Sequence, residues 1–146
     1  MIADDHEVVR IGLRSFLEAR PKWRVIGEAA DGRDAVNEAI RLKPDLVVID
    51  PALPVLNGLD ATRAIRSHLP GVQILFFTTY DDDQMLRDAV VAGARGYLLK
   101  SDGKQLPGIP IGFYQVKIVS AKQRINTTRG VEVADDTTGN RLEIAL

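Results

Sequence analysis

The chain has 146 residues, 45% of them hydrophobic and 27% charged, which is typical of a single globular domain with a hydrophobic core. The formal net charge is −1, which excludes strong bulk attraction to nucleic acid or to an anionic membrane. The absence of cysteine excludes disulfides and thiolate metal sites and agrees with a reducing compartment. No apolar run approaches the roughly 20 residues of a membrane helix, and the acidic start is unlike a signal peptide. We therefore expect a cytoplasmic protein without membrane association.

Up to about residue 103, short apolar runs alternate with amphipathic stretches. The apolar runs predict strands at residues 2–3, 23–26, 46–49, 72–77 and 96–99. The stretches between them predict helices at residues 6–20, 33–42, 59–69 and 82–92. Strands and helices in this alternation form right-handed βαβ units around a parallel sheet. The predicted fold class is α/β, with a doubly wound, flavodoxin-like sheet of five parallel strands and a short first strand.

Polar side chains follow four of the predicted strands. The first strand ends in Asp4 and Asp5, the third in Asp50, the fourth in Thr78 and the fifth in Lys100. The functional crevice of a doubly wound sheet lies beyond the carboxyl ends of its strands, so these groups should converge. Neighbouring carboxylates repel one another unless a cation neutralises them, and an oxygen-only cluster favours Mg²⁺. A carboxylate beside Mg²⁺ can attack phosphorus, so the pattern predicts a phosphoryl-transfer site.

Each of these residues also has a simpler interpretation. Asp5 could cap the first helix, Thr78 could be a turn residue, and Lys100 could extend into solvent. Taken one at a time, these interpretations are the better ones. Convergence at the ends of four separate strands favours a functional site.

Four motifs carry a family resemblance. IADDHE at residues 2–7, VVIDPALPVLNG at 47–58, FFTTY at 76–80 and GARGYLLK at 93–100 resemble the receiver domain of response regulators. Their wording is similar to the subgroup whose receivers precede a LuxR-type helix-turn-helix. The resemblance covers residues 1 to about 105, which we interpret as the receiver domain. It implies a two-component signalling protein whose partner is a sensor histidine kinase.

The resemblance also implies residue roles in a pocket. Asp50 would be the phosphoacceptor and Lys100 would pair with the phosphoryl group. Asp5 would bind Mg²⁺ directly, Asp4 mainly through water, and the backbone carbonyl of Ala52 would complete the protein ligands together with Asp50.

The resemblance further implies a switch. Thr78 would close on the phosphoryl oxygen, and Tyr97 would change rotamer. Pro51 departs from the pattern expected beside the acceptor, since proline lacks an amide proton and removes one backbone donor.

Both ends of the chain depart from a complete receiver. The first strand is short, which predicts either a misassigned start or a stunted strand. A fifth helix begins at residue 103, but Pro107, Gly108 and Pro110 interrupt it. Residues 106–146 form an atypical tail with strand-like runs at 113–120, 130–134 and 141–146 and a turn at 135–140. The tail is either an unrelated β-rich or disordered extension, or the product of a frame shift after about residue 106.

The sequence leaves three functions to compare. The leading hypothesis is a phosphorylation-dependent receiver, not an enzyme beyond its own phosphorylation and dephosphorylation. The second is a receiver-derived binding or dimerisation module that no longer signals, since loss of the fifth helix would expose an apolar face and favour a homodimer or segment exchange. A phosphohydrolase is weaker, because Ala52 stands where such an enzyme needs a second Asp. Scattered basic residues in the tail do not predict direct DNA binding by this chain.

Overall fold

The computed structural model describes residues 1–79, 83–100, 114–118 and 127–130. Within them the chain alternates strands and helices as far as residue 100 and then adds two strands. The elements in order are β1 Ile2–Ala3, α1 Glu7–Glu18, β2 Glu28–Ala29, α2 Gly32–Leu42, β3 Leu46–Ile49, α3 Gly58–His68, β4 Gln73–Thr78, α4 Asp83–Ala92, β5 Gly96–Lys100, β6 Tyr114–Ile118 and β7 Thr127–Gly130. No helix of this described part has the length and apolarity needed to cross a bilayer.

The strands form one sheet in the order β2-β1-β3-β4-β5-β6-β7. The first five are parallel, which confirms the predicted doubly wound sheet of flavodoxin-like order. β6 then pairs antiparallel with β5, and β7 pairs antiparallel with β6. β2 lies on one side of β1, whereas β3 and the strands after it lie on the other side. The crevice of a doubly wound sheet opens at this reversal, between β1 and β3.

Side chains alternate between two apolar faces of the sheet, as the pleat requires. One face buries Val47 and Ile49 of β3 against α2, α3 and α4. The other buries Val48 of β3 and Phe77 of β4 against α1. A strand that is buried on both faces reads as a continuous apolar run, which explains why β3 was predicted to the residue.

The predicted strand at residues 23–26 is wrong, because β2 begins at Glu28. The parallel register pairs Ile2 with Glu28 and Ala3 with Ala29. The ladder between β1 and β2 consists of these two pairs, so residues 23–26 precede it and form no part of it. Val25 is still buried, so its apolar side chain contributes to the core without a ladder.

The tail predictions are only partly covered by the described residues. β6 lies inside the predicted run 113–120. β7 occupies Thr127–Gly130, earlier than the strand predicted at 130–134. The start of the fifth helix, the turn at 135–140 and the run at 141–146 lie outside the described residues.

Two helices that carry loops around the crevice begin at side-chain caps. The Asp31 carboxylate accepts a hydrogen bond from the amide of Asp34 at 2.8 Å, and Asn57 Oδ1 accepts one from the amide of Asp60 at 2.9 Å. The first helix differs, because its N-cap is His6 and not Asp5. Asp5 is therefore not the cap of that helix, and the simpler interpretation of this residue is wrong.

Candidate functional site

Asp4 and Asp50 leave the sheet side by side. The amide of Asp4 donates to the carbonyl of Ala29 at 3.1 Å, and that of Asp50 donates to the carbonyl of Ala3 at 2.9 Å. Each residue directly follows the last residue of its strand and extends the parallel ladder by one more hydrogen bond. The two carboxylates consequently lie at the reversal point between β1 and β3, and they are 1% and 6% exposed.

Lys100 joins these two carboxylates from the end of β5. Its Nζ donates to Asp4 Oδ2 at 2.6 Å and also forms a short hydrogen bond with Asp50 Oδ2. Burial by itself lowers the pKa of Lys100, but the hydrogen bonds and charges of the two aspartates outweigh it and hold that pKa above its ordinary value. The side chain is therefore a fixed ammonium at neutral pH, and it supplies positive charge beside Asp50.

The second oxygen of Asp50 bonds to the following loop. Asp50 Oδ1 accepts a hydrogen bond from the amide of Ala52 at 2.7 Å. Pro51 has no amide proton to give, but the next residue places a backbone donor on the same carboxylate. The loss expected from Pro51 is thus offset locally, and the carboxylate is held through both oxygens.

Asp5 lies at the outer rim of the pocket. Its side chain is 39% exposed, and its Oδ1 is 2.8 Å from Nδ1 of His6. The amide of His6 donates to Asp4 Oδ1 at 2.9 Å, so the turn after β1 folds back on the buried carboxylate. Ligand atoms of Asp4, Asp5 and His6 lie within 4.8 Å of one another. Asp50 does not join this group directly and is linked to Asp4 through Lys100.

The chemistry of these donors suits a hard divalent cation. Lys100 pairs with Asp4 and Asp50, and Asp5 adds a third carboxylate at the rim, which leaves negative charge that Lys100 does not balance. Among the described residues no thiolate competes for the ion, and carboxylate oxygens are the ligands Mg²⁺ prefers. The residues present therefore fit Mg²⁺, with Asp4 and Asp5 as the acidic cluster that would hold it. The role of the Ala52 carbonyl stays a prediction.

Thr78 and Tyr97 occupy neighbouring strands behind the pocket. Thr78 is the last residue of β4 and is fully buried. Tyr97 pairs with Phe76 across β4 and β5 and is 2% exposed, within the cluster packed against α2, α3 and α4. Tyr97 lies three residues before Lys100 on β5, so one strand carries both side chains. The two residues thus lie on adjacent strands, and their switching roles stay predictions.

The loop after Asp50 is built around two backbone restrictions. A Cβ atom on Gly58 would lie 2.1 Å from the carbonyl oxygen of Asp50, so only glycine allows this approach. The amide of Gly58 donates to the carbonyl of Pro51 at 2.9 Å. The start of α3 is therefore pinned against the backbone of the proposed acceptor.

Sequence reasoning missed an arginine beside the acidic turn. Arg10 Nη1 donates to the backbone carbonyl of Asp4 at 2.8 Å, and its Nε donates to Glu28 at 3.2 Å. Arg14, one helical turn later, also bonds to Glu28. The spacing of Arg10 and Arg14 could have indicated this, because residues four positions apart lie on the same face of a helix and can contact the same partner.

Comparison with known proteins agrees with this fold and pocket. The family model described as response regulator receiver domain matches residues 1–107. The chain therefore belongs to the response regulator receiver family, which the fold and the acidic crevice also indicate.

The curated relatives are longer than this chain. It is 43% identical over 100 residues to "Transcriptional regulatory protein LnrK" of Bacillus subtilis, a match that covers 68% of this chain and 46% of that protein. It is 42% identical over 101 residues to "Transcriptional regulatory protein LiaR" of the same organism, covering 69% of this chain and 48% of that protein. The chain thus spans about half the length of these relatives.

Solved structures share the fold. A LuxR-family two-component response regulator from Aurantimonas sp. has a TM-score of 0.64 and 41% identity, covering 66% of this chain and 69% of that one. The response regulator domain of Thermotoga maritima CheB has a TM-score of 0.66 and 29% identity, covering 73% and 80%. These likenesses confirm the receiver fold that the motifs predicted.

Proposed function

We propose that this receiver accepts a phosphoryl group on Asp50 from a sensor histidine kinase. The observation that carries the proposal is the position of Asp50, nearly buried where the sheet reverses, with Lys100 Nζ shared between it and Asp4. An ammonium held at this point can stabilise the charge of an incoming phosphoryl group. The Asp50 carboxylate attacks phosphorus and forms an acyl phosphate while the phosphorus–nitrogen bond of the donor phosphohistidine breaks, and a proton on the other ring nitrogen lets the histidine leave as neutral imidazole.

The same proposal assigns Mg²⁺ to Asp4, Asp5, Asp50 and the Ala52 carbonyl. The ion supplies charge neutralisation for the transferring group when it is bound. Asp5 is the solvent-facing carboxylate of the set, which agrees with a direct ligand, and Asp4 is the buried one held by Lys100. This chain's own contribution is to hold the carboxylates at fixed positions around the acceptor.

Thr78 and Tyr97 are the proposed switch residues. Thr78 ends β4 beside the pocket, where a hydroxyl can donate to a phosphoryl oxygen. Tyr97 and Lys100 lie on the same strand, so a displacement of Lys100 can be transmitted to Tyr97 along the backbone of β5. In this proposal the ring inside the core and an outward rotamer are the two states that phosphorylation biases.

Labelling with acetyl phosphate tests the proposed acceptor. Incubation with acetyl phosphate and Mg²⁺ should give a phosphoprotein that is labile to hydroxylamine, as expected of an acyl phosphate, and Asp50→Asn should abolish it. Asp45→Asn is the matched control, because Asp45 is exposed and precedes β3 whereas Asp50 follows it. Labelling that persists in Asp50→Asn, or that never appears in the wild type, would contradict the proposal.

A second candidate is a receiver-derived dimerisation module in which the tail beyond residue 105 replaces the usual output. The antiparallel addition of β6 to β5 favours it, since this pairing places new backbone on the edge of the strand that carries Lys100. Two copies of the chain would then form a homodimer, including one formed by segment exchange, whether or not Asp50 is phosphorylated. Sedimentation of the wild type and Asp50→Asn with and without beryllofluoride separates the two candidates. A phosphate-independent dimer favours the second candidate, and we propose direct DNA binding for neither.

A further inference from the structure

Arg10 bonds to the acidic turn and to the first residue of β2 at the same time. Its side chain is 16% exposed. Nη1 donates to the carbonyl oxygen of Asp4 at 2.8 Å, and Nε donates to Glu28 Oε2 at 3.2 Å. The planar guanidinium thus links the backbone of the acidic turn to a side chain of β2, in addition to the β1–β2 ladder and the hydrogen bond from the Asp4 amide to the Ala29 carbonyl.

The bond to Asp4 acts on a peptide plane that joins both acidic residues. The carbonyl of Asp4 and the amide of Asp5 belong to one planar unit. A hydrogen bond to the carbonyl oxygen restrains the rotation of that plane, and so restrains ψ of Asp4 and φ of Asp5, two of the backbone angles on which the directions of both side chains depend. Arg10 therefore restrains both carboxylates of the cluster without touching either one.

Arg14 provides an internal comparison. Its Nε donates to the other oxygen of Glu28 at 2.7 Å, and its Nη1 donates to Glu18 and to the carbonyl of Val25. Both arginines therefore neutralise Glu28 from the same helix. In the described part of the chain only Arg10 also bonds to the Asp4 carbonyl.

We infer that Arg10 is a positioning residue for divalent-cation binding, acting through a guanidinium fork that spans Glu28 and the Asp4 carbonyl. The inference rests on the proposed function, because it assumes that the acidic cluster takes Mg²⁺. It goes beyond that function because it assigns a role in cation binding to a positively charged side chain, Arg10. Residues that orient metal ligands from behind commonly change metal affinity by about 10- to 100-fold when they are removed.

The charge of Arg10 and its positioning role predict opposite changes in Mg²⁺ affinity when the residue is replaced. A positive charge beside the cluster repels a divalent cation, so its removal alone should tighten Mg²⁺ binding. Loss of the restraint on the Asp4–Asp5 peptide should weaken binding instead. A decrease in Mg²⁺ affinity on Arg10→Gln therefore cannot arise from the lost charge.

Titration calorimetry of the full chain with Mg²⁺ tests the inference. We expect Arg10→Gln to raise the Mg²⁺ dissociation constant about 10-fold. Arg14→Gln is the matched control, since it removes the same charge and also a hydrogen bond to Glu28, and we expect its dissociation constant to stay within about 2-fold of wild type. With acetyl phosphate, Arg10→Gln should raise the Mg²⁺ concentration for half-maximal labelling and leave the rate at saturating Mg²⁺ near wild type.

Three results would overturn the inference: unchanged or tighter binding in Arg10→Gln, equal weakening in both variants, or a lower labelling rate at saturating Mg²⁺ with no change in half-saturation. Thermal melts accompany each titration. If Arg10→Gln does not fold, Arg10→Lys takes its place; it keeps the charge but loses the fork, and wild-type affinity in it overturns the inference. A wild-type chain that binds no Mg²⁺ would instead defeat the proposed function, with which the inference would fall.

Discussion

At the scale of single residues, Val55 has a backbone conformation that its side chain disfavours. Its φ is +68°, in the left-handed region where a β-branched residue is a genuine outlier. The amide of Leu56 donates to the carbonyl of Pro54 at 2.8 Å, which closes a three-residue γ-turn around Val55. The side chain is 78% exposed, so little packing offsets the strain. The loop after the proposed acceptor therefore stores conformational energy.

Replacing Val55 should stabilise the protein. Glycine reaches positive φ without a Cβ clash, so Val55→Gly should raise the free energy of unfolding by about 1 kcal/mol. Urea denaturation measures the change. Val91→Gly is the control, because Val91 is also exposed but lies within α4, where glycine should lower the free energy of unfolding by up to about 1 kcal/mol. A destabilised Val55→Gly would show that the strain is absent.

Glu28 should make stability depend on pH. Burial raises the pKa of Glu28, but hydrogen bonds and charges from Arg14 and Arg10 outweigh it and hold that pKa below 4.5. Because the folded-state pKa lies below the unfolded one, the stabilisation is present above pH 4.5 and is lost as the pH falls through the folded value.

Glu28→Gln should therefore cost about 1 kcal/mol at neutral pH and progressively less as the pH falls below 4.5. Urea unfolding of both proteins from pH 7 down to pH 3 measures the difference. A cost that stays constant with pH would mean that ionised Glu28 gains nothing from the two arginines.

At the scale of elements, the N-terminus of α3 is built against the strand that carries Asp50. Asn57 caps the helix, and Gly58 lets its first turn approach the backbone of Asp50 and Pro51. Pro54 accepts a hydrogen bond from the amide of Gly32 at 3.1 Å, which ties the same loop to the start of α2. Two helix starts thus hold the loop beside the proposed acceptor.

Gly58→Ala should disturb that arrangement. The added methyl would lie 2.1 Å from the Asp50 carbonyl oxygen, and its three nearest atoms all belong to the backbone of Asp50 and Pro51, which cannot rotate away as a side chain could. We expect a loss of roughly 2 kcal/mol or more in unfolding free energy and slower labelling by acetyl phosphate. Gly71→Ala is the control, since nothing lies within 4 Å of a Cβ at that position. Equal stability of the two variants would contradict the close approach.

At the scale of the whole molecule, the sheet continues past the five strands of the receiver. The pairing of β5 with β6 covers four residue pairs, from Tyr97–Lys117 to Lys100–Tyr114. This pairing satisfies backbone groups along an edge of β5. An uncovered strand edge of this kind can pair with another chain.

Truncation after residue 103 tests what this addition does. Removing β6 and β7 should leave β5 with an open edge, so we expect self-association that grows with protein concentration. Light scattering coupled to size-exclusion chromatography measures it, with the full chain as the reference. A truncated chain that remains as monomeric as the full one would contradict this expectation.

Some elements could be predicted because their causes are local. β3 is buried on both faces, so its apolar run marks its bounds, and α2 and α3 begin at Asp31 and Asn57, whose side chains cap them. β2 could not be placed, since its bounds depend on where β1 offers backbone partners. The pocket residues were predictable as a group because strand ends meet at one edge of a parallel sheet.

The sequence alone determined the receiver fold and the set of acidic, hydroxyl and ammonium groups at the strand ends. Both follow from local patterns, because hydrophobic periodicity sets where strands and helices lie and the ends of parallel strands meet at one edge of the sheet. Only the tertiary structure decided how those groups are connected: Lys100 lies between Asp4 and Asp50, and Asp5 turns outward to His6. It also decided that Arg10 reaches the Asp4 carbonyl while Arg14 does not. The physical reason is that hydrogen-bond partners distant in sequence are selected by side-chain reach and burial, which no local pattern encodes.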